Sequence, residues 1–276
     1  MIKALNDIII EAKKYLSDDF VLEDIYWIIE ETLNLQKYQI FSKKYDLFED
    51  SLIMERVKKA IDTPVAYILN KTKFYTYDFK VTTNTLIPRN ETEELVDMVL
   101  KKVSNSDDIV NILDIGTGTG CIAITLDKEL TKRGIKHKIY ALDISSNALE
   151  VAKENAANLN ANIEFYLSDV FENFVDKKID LIVSNPPYID KNTFVMNRVK
   201  NNEPHIALYA EENGLEIYRK IIKDLHKYSI KYCYFEISPD LIPGLNSICE
   251  EYLKDYEVMY ISDMNNFERF MYLSIK

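Results

Sequence analysis

Two spacings of apolar residues divide the chain, and one gives way to the other near residue 84. Before it, Leu22, Ile25, Tyr26, Ile28, Ile29 and Leu33 recur at helical intervals behind the cap-like run Ser17-Asp18-Asp19, and Leu52, Ile53, Val57, Ala60 and Ile61 repeat the pattern. Residues 1–70 are therefore expected to be helical, and they contain Pro64 but no glycine. The run from Lys73 to Val81 is dense in aromatic and β-branched residues and predicts a short hairpin, within residues 71–84, that joins two domains. Beyond it, strand-like runs at 109–115, 138–142, 163–167, 181–184 and 232–237 alternate with helix-length segments, the pattern of a parallel sheet wrapped by helices. Two last strands, 256–261 and 269–275, are joined by too few residues for a helical crossover, so they should pair antiparallel. The expected architecture is an N-terminal helical domain (1–70), a hairpin linker (71–84) and an α/β domain (85–276) whose mostly parallel seven-stranded sheet includes a C-terminal antiparallel strand.

Composition narrows the function classes. Of the 276 residues, 47% are hydrophobic and 29% charged, enough to build a sizeable core. The first residues run into charge before any long apolar stretch, and no run approaches a membrane span, so a cytoplasmic protein with neither signal nor anchor is expected. Cys121, Cys233 and Cys249 are odd in number and lie in apolar or amphipathic runs, which suits buried reduced thiols rather than disulfides. His137, His205 and His226 are scattered without ligand spacing, and no metal site is expected. A net charge of −11 argues against tight binding to a phosphate backbone.

Chemistry concentrates in two short segments. The chain has only 6 glycines, and Gly116, Gly118 and Gly120 fall directly after the first strand of the α/β region, within Asp114-Ile115-Gly116-Thr117-Gly118-Thr119-Gly120. A strand that turns sharply into a helix with a ligand against its backbone needs positive φ angles and no β-carbons. Asp143, 23 positions after Gly120 and at the end of the next strand, can accept both hydroxyls of a ribose, so a nucleoside-bearing cofactor in a Rossmann-like domain is expected. The two-residue step from Gly118 to Gly120 fits a nicotinamide dinucleotide less well. After the third strand, Asp169 has two readings: acceptor for an adenine amino group, with Val170 over the ring, or helix cap.

The fourth strand ends in Asn185-Pro186-Pro187-Tyr188. Neither proline can donate to a ladder, so the chain must leave the sheet at its carboxyl edge, where open α/β sheets bind ligands. There the Asn185 side-chain oxygen and the Pro186 carbonyl can accept from an NH2 group, and Tyr188 offers a face for a planar group. An amide nitrogen is a poor nucleophile, so two acceptors that orient it and stabilise its developing positive charge are what methyl transfer to it requires.

With these motifs the sequence resembles the protein-(glutamine-N5) methyltransferases called HemK or PrmC, along nearly its whole length. The likeness extends to Pro64-Val65-Ala66-Tyr67-Ile68-Leu69, to Leu86-Ile87-Pro88-Arg89-Asn90-Glu91-Thr92-Glu93, and to Glu203-Pro204 with Ala207-Leu208. The resemblance implies a class I methyltransferase fold and S-adenosylmethionine as methyl donor, held by residues 114, 116–120, 143 and 169–170. It assigns the substrate amide to Asn185, Pro186, Pro187 and Tyr188, with Asn185 facing the cofactor as well. It implies peptide-chain release factors as protein substrate, methylated on the glutamine of their Gly-Gly-Gln motif, and a helical N-terminal domain that helps grip them.

Asn70, Thr76, Asn90, Ser238 and Asn266 depart from the family pattern, four of them where glycine is usual and Asn90 where proline is. Asparagine tolerates positive φ, and Asn90 could form a capping box with Glu93. These departures bear on substrate choice and leave both central loops intact. The segment from Arg89 to Glu93 favours a protein substrate over the adenine of DNA, whose enzymes share the Asn-Pro-Pro-Tyr loop but must also extract a base. Glutamine methylation of a ribosomal protein is the alternative within the family, and intact motifs weigh against an inactive scaffold. A monomer without direct DNA contact is expected.

Overall fold

The helical spacing of the first part closes into α1 (Leu5–Ala12), α2 (Leu22–Leu33), α3 (Lys37–Ser42), α4 (Ser51–Lys59) and α5 (Val65–Leu69). The structure, a computed structural model, describes residues 1–104, 110–175, 177–228 and 230–276. One face of each longer helix is apolar: Leu5 and Ile8 of α1, Ile25, Ile28 and Ile29 of α2, and Ile53 and Val57 of α4 meet in a core with Phe20. Burial of each such side chain contributes about 1.5–3 kcal/mol. Helix α2 begins later than Ser17-Asp18-Asp19 suggested. Ser17 Oγ accepts from the Phe20 N–H at 3.1 Å, closing a turn that buries Phe20, and the Val21 N–H donates to Asp24 at 3.2 Å, so the cap comes from inside the first turn. The expectation of helix alone is also corrected: β1 (Ile2–Ala4) and β2 (Leu47–Glu49) pair antiparallel. Asp50 pins this pair, accepting from the Met1 ammonium at 2.5 Å and lying 2.8 Å from Lys3 Nζ. Strands of three residues are too short to show an alternation.

The chain divides into two units, Met1–Lys71 with Val195–Asn202, and Thr72–Phe194 with Glu203–Lys276. Within the first, Arg198 donates to the Thr63 carbonyl at 3.1 Å, stands 3.8 Å from Asp24 and lies over the Phe20 ring, while Asn202 donates to the Asp62 carbonyl at 2.7 Å. A short excursion of the chain following the Asn-Pro-Pro-Tyr loop is thus bound to the helical unit.

The second unit opens on the hairpin strands β3 (Lys71–Phe74) and β4 (Tyr77–Lys80), whose Phe74 and Phe79 rings meet edge to face. Asn70, just before them, has a φ of 52°, the left-handed conformation that glycine would otherwise supply. Then α6 (Glu91–Val103) leads to β5 (Val110–Ile115), α7 (Cys121–Lys132), β6 (His137–Asp143), α8 (Ser146–Leu159), β7 (Ile163–Leu167) and β8 (Leu181–Ser184). Ile109, the expected start of β5, lies outside the described residues. The unit closes with α9 (Glu216–Ile222), β9 (Tyr232–Glu236), α10 (Ile242–Tyr252), β10 (Tyr256–Ser262) and β11 (Glu268–Ile275).

Among the described residues seven strands form one sheet in the order β10-β11-β9-β8-β5-β6-β7. From β7 to β9 the pairs are parallel, and β11 runs antiparallel to both β9 and β10, as the short connection required. Both faces of β5 are covered. Ile112 joins Leu95, Val99 and Ile124 on one side, whereas Leu113 and Ile115 join Phe235, Ile221 and Leu245 on the other. The chain runs outward from β5 through β6 to β7 and then returns to place β8 on the other side. The strand order reverses there, so a crevice opens at the carboxyl ends of β5 and β8.

The Asn90 capping box is not formed. Asn90 has helical dihedrals and its side chain caps nothing, while Glu93 accepts from the Tyr75 N–H at 2.6 Å. Tyr75 sits at a φ of 59° in the hairpin turn, and this bond holds it there.

Candidate active site

At the end of β5, Gly116, Gly118 and Gly120 have φ angles of 74°, 55° and 82°. A β-carbon on Gly116 or Gly118 would meet nothing within 4 Å, so these two positions bare the backbone toward open space. Gly120 has a different reason: a β-carbon there would lie 2.8 Å from Ile124 and 3.3 Å from Ala152, where the loop packs on α7 and α8. The Gly118 N–H donates to Asp143 Oδ2 and the Ser145 N–H to Asp143 Oδ1, both at 2.9 Å. Asp143 thereby ties the glycine loop to the end of β6, and each oxygen keeps a lone pair for a further donor. Thr117 donates to Asp114 Oδ2 at 2.6 Å beneath the loop, and burial pushes the Asp114 carboxyl up to about 7.

A cavity of about 390 Å³ lies over this loop, within the range of small-molecule sites. Of the residues singled out in the sequence, Gly116, Gly118, Asp143, Asp169, Val170, Asn185, Pro186 and Pro187 line it. Asp114, Thr117 and Thr119 are instead buried as supports, Gly120 packs on the helices, and Tyr188 leans on the apolar core, its phenol pushed up to about 12 by burial. Asp169 takes a partner that neither of its readings anticipated, Lys220 of α9 at 2.9 Å. Val170 is held at a φ of 50°, unusual for a β-branched residue, in the wall of the cavity.

Three supports had no role assigned from the sequence, although Thr92 lies in the segment that carries the resemblance. Asn155 of α8 donates to the carbonyls of Thr119 and Lys80 and accepts from the Lys80 N–H, lacing the glycine loop to β4. Gly214, at a φ of 91°, lets the Tyr188 carbonyl approach so closely that a β-carbon would overlap it. Thr92, buried at the start of α6, accepts from Asn185 Nδ2 at 3.1 Å and donates to Glu236 Oε2 at 2.7 Å. The segment from Arg89 to Glu93 is also anchored by Glu203, a buried carboxylate 2.6 Å from the Arg89 guanidinium.

The Methyltransferase small domain family model matches residues 91–202. A release factor glutamine methyltransferase of Lactococcus lactis is 42% identical over 77% of this chain and 78% of its own length, and one of Flavobacterium psychrophilum is 32% identical over 91% and 92%. The chain belongs to the release factor glutamine methyltransferase family. The match to the Enterococcus faecalis member, 42% identical, spans 64% of this chain and 62% of that relative's length.

The hMettl16 catalytic domain, 16% identical with a TM-score of 0.54 over 71% of this chain and 74% of that one, shares the fold. So does a human methyltransferase 10 domain containing protein, 17% identical with a TM-score of 0.51 over 73% and 90%. The residues present suit the family's methyl donor. Two glycine positions leave the backbone bare, a carboxylate stands at the end of β6, and the apolar Val170 closes one wall. Among the described residues no group of three or more His, Cys, Asp or Glu side chains converges to hold a metal, and no helix is long and apolar enough to cross a membrane.

Proposed function

We propose that this protein transfers the methyl group of S-adenosylmethionine to the side-chain amide nitrogen of the glutamine in the Gly-Gly-Gln motif of peptide-chain release factors. The observation that carries the reading is the orientation of Asn185: its Nδ2 donates to Thr92, which leaves Oδ1 as an acceptor at the cavity. With the Pro186 carbonyl it can take the two hydrogens of a primary amide, turn the nitrogen lone pair toward the methyl donor and stabilise the positive charge that grows on nitrogen. S-adenosylmethionine, when bound, supplies a methyl on a sulfonium whose leaving group is a neutral thioether. In this reading Asp143 accepts the ribose hydroxyls, Gly116 to Gly120 carry the backbone against the ligand over Asp114, and Asp169 with Val170 bounds the adenine. Tyr188 and Pro187 shape the substrate side. The same reading gives residues 1–70 a share in gripping the release factor, residues 71–84 the role of linker and residues 85–276 the chemistry. It makes the protein a cytoplasmic monomer without direct DNA contact.

The test is transfer of radiolabelled methyl to a purified release factor, to the same factor with its motif glutamine replaced, and to unmodified DNA. Label is expected on the wild-type factor alone, and Asn185→Ala should reduce the rate by about 100-fold or more, the scale for loss of one charge-stabilising group. Label on DNA, or on the glutamine-free factor, would overturn the substrate assignment.

A further inference from the structure

Asparagine presents two ends of nearly equal shape, and only one of them, the oxygen, can accept from a substrate amide. What decides which end faces the cavity lies behind Asn185. We infer that Thr92 and Glu236 form a polarity relay that sets the Asn185 amide, with ionised Glu236 holding the acceptor end toward the substrate. This rests on the proposed role of Asn185 and adds two positioning residues to it.

The geometry runs in one direction. Glu236, at the end of β9, is buried, and its ionised carboxylate can only accept. Thr92 Oγ1 therefore spends its single hydrogen on Glu236 Oε2, at 2.7 Å, and faces Asn185 with lone pairs alone. Only the NH2 end of Asn185 can bond to it, at 3.1 Å, so Oδ1 turns to the cavity. A proton taken up on the Glu236 oxygen that faces Thr92 reverses every step. The acid O–H donates to Thr92, the threonine hydrogen is freed for Asn185 Oδ1, and the flipped amide meets the substrate NH2 with a second donor.

Several groups face Glu236. Arg269 of β11 and Arg89 before α6 favour its charge, and Glu91 of α6 opposes it. Cys121 of α7, Tyr188 beyond β8 and Tyr218 of α9 are neutral neighbours whose own ionisation Glu236 disfavours. Tyr218 also donates to the Glu236 backbone carbonyl at 2.6 Å. Burial outweighs the two arginines and pushes the carboxyl up to about 7, which brings the switch into the working range of a cytoplasmic enzyme.

The experiment measures single-turnover methyl transfer to a release factor between pH 5.5 and 9, with cofactor affinity determined separately. It compares wild type, Thr92→Val, Thr92→Ser, Glu236→Gln and Asn185→Ala. Thr92→Val should lower the transfer rate by roughly 30-fold or more while cofactor affinity stays within about twofold, and Thr92→Ser should recover most of the rate. The wild-type rate should fall on the acid side. Glu236→Gln, which keeps a carbonyl for Thr92 but has no proton to gain, should lose that acid limb. An acid limb unchanged in Glu236→Gln, or a folded Thr92→Val with the wild-type rate, overturns the relay. If Thr92→Val does not fold, the Glu236→Gln profile decides alone. Asn185→Ala separates the two levels: a wild-type rate there overturns the role of Asn185 itself, whereas its loss beside unaffected Thr92 and Glu236 variants overturns only the relay.

Discussion

The two loops that leave neighbouring strands at the same sheet edge are built in opposite ways. The loop after β5 takes its shape from its own backbone: three glycines with positive φ define the turn, and Asp143 of the adjacent strand ties it down. The loop after β8 has two prolines to expel it from the sheet, yet its Asn185 side chain is held from outside, by Thr92 93 positions earlier and by Glu236 through that threonine. Its path is further cleared by Gly214. A loop shaped by local conformation can be read as a motif. One shaped by distant partners shows only its own residues.

If that contrast is right, Gly214→Ala should have the largest effect on the protein. The new β-carbon overlaps the Tyr188 carbonyl in a left-handed conformation, and we expect about 3 kcal/mol or more of lost stability in denaturant melts. Transfer rate should fall much further than cofactor affinity. Asn155→Ala tests the other loop and a distant support of it: it strips partners from the Thr119 carbonyl and from the Lys80 carbonyl and N–H, which should cost about 2–3 kcal/mol and weaken cofactor binding in calorimetry. Equal damage to transfer at saturating cofactor would contradict the division of labour.

Gly116→Ala is a smaller change. Nothing obstructs the methyl group, so only the left-handed φ is penalised, by about 1–2 kcal/mol, and the lasting effect should appear in cofactor affinity because the group protrudes into the cavity.

The smallest effect concerns pH. Burial holds Glu236 up at about 7 against an ordinary value of 4.5, so its protonated form favours the fold. That contribution is complete below about pH 4.5 and is lost as the pH rises through about 7. Thermal melts of Glu236→Gln and wild type should therefore diverge in favour of the variant between pH 5 and pH 8. A constant difference would mean that Glu236 does not titrate in this window. Under the proposed relay, the ionised form that activity needs is the form that stability disfavours, a conflict common at functional sites.

Reading residues in order found the sheet strands, the antiparallel last pair and both loops, because each rests on alternation, connection length or turn chemistry over a few positions. Asn70 and Asn266, standing where glycine is usual, do adopt positive φ, of 52° and 63°, which their short polar side chains permit. Local reasoning failed where tertiary partners compete for the same group. Glu93 could have capped Asn90 but bonds to the Tyr75 N–H across the hairpin, and Asp169 could have capped a helix but pairs with Lys220. Val170 carries no sequence sign of its left-handed backbone, and the β1–β2 pair is fixed by Asp50 rather than by propensity.

By itself the sequence determined a Rossmann-like domain with a glycine turn after one strand and an Asn-Pro-Pro-Tyr turn after another, since those features follow from dihedral preferences and hydrophobic period, and its motifs carried the resemblance to a methyltransferase family. Only the tertiary structure decided which end of Asn185 bonds to Thr92, because a side-chain amide has no preference of its own. The hydrogen-bond polarity that orients it comes from residues that meet only once the sheet and α6 have packed.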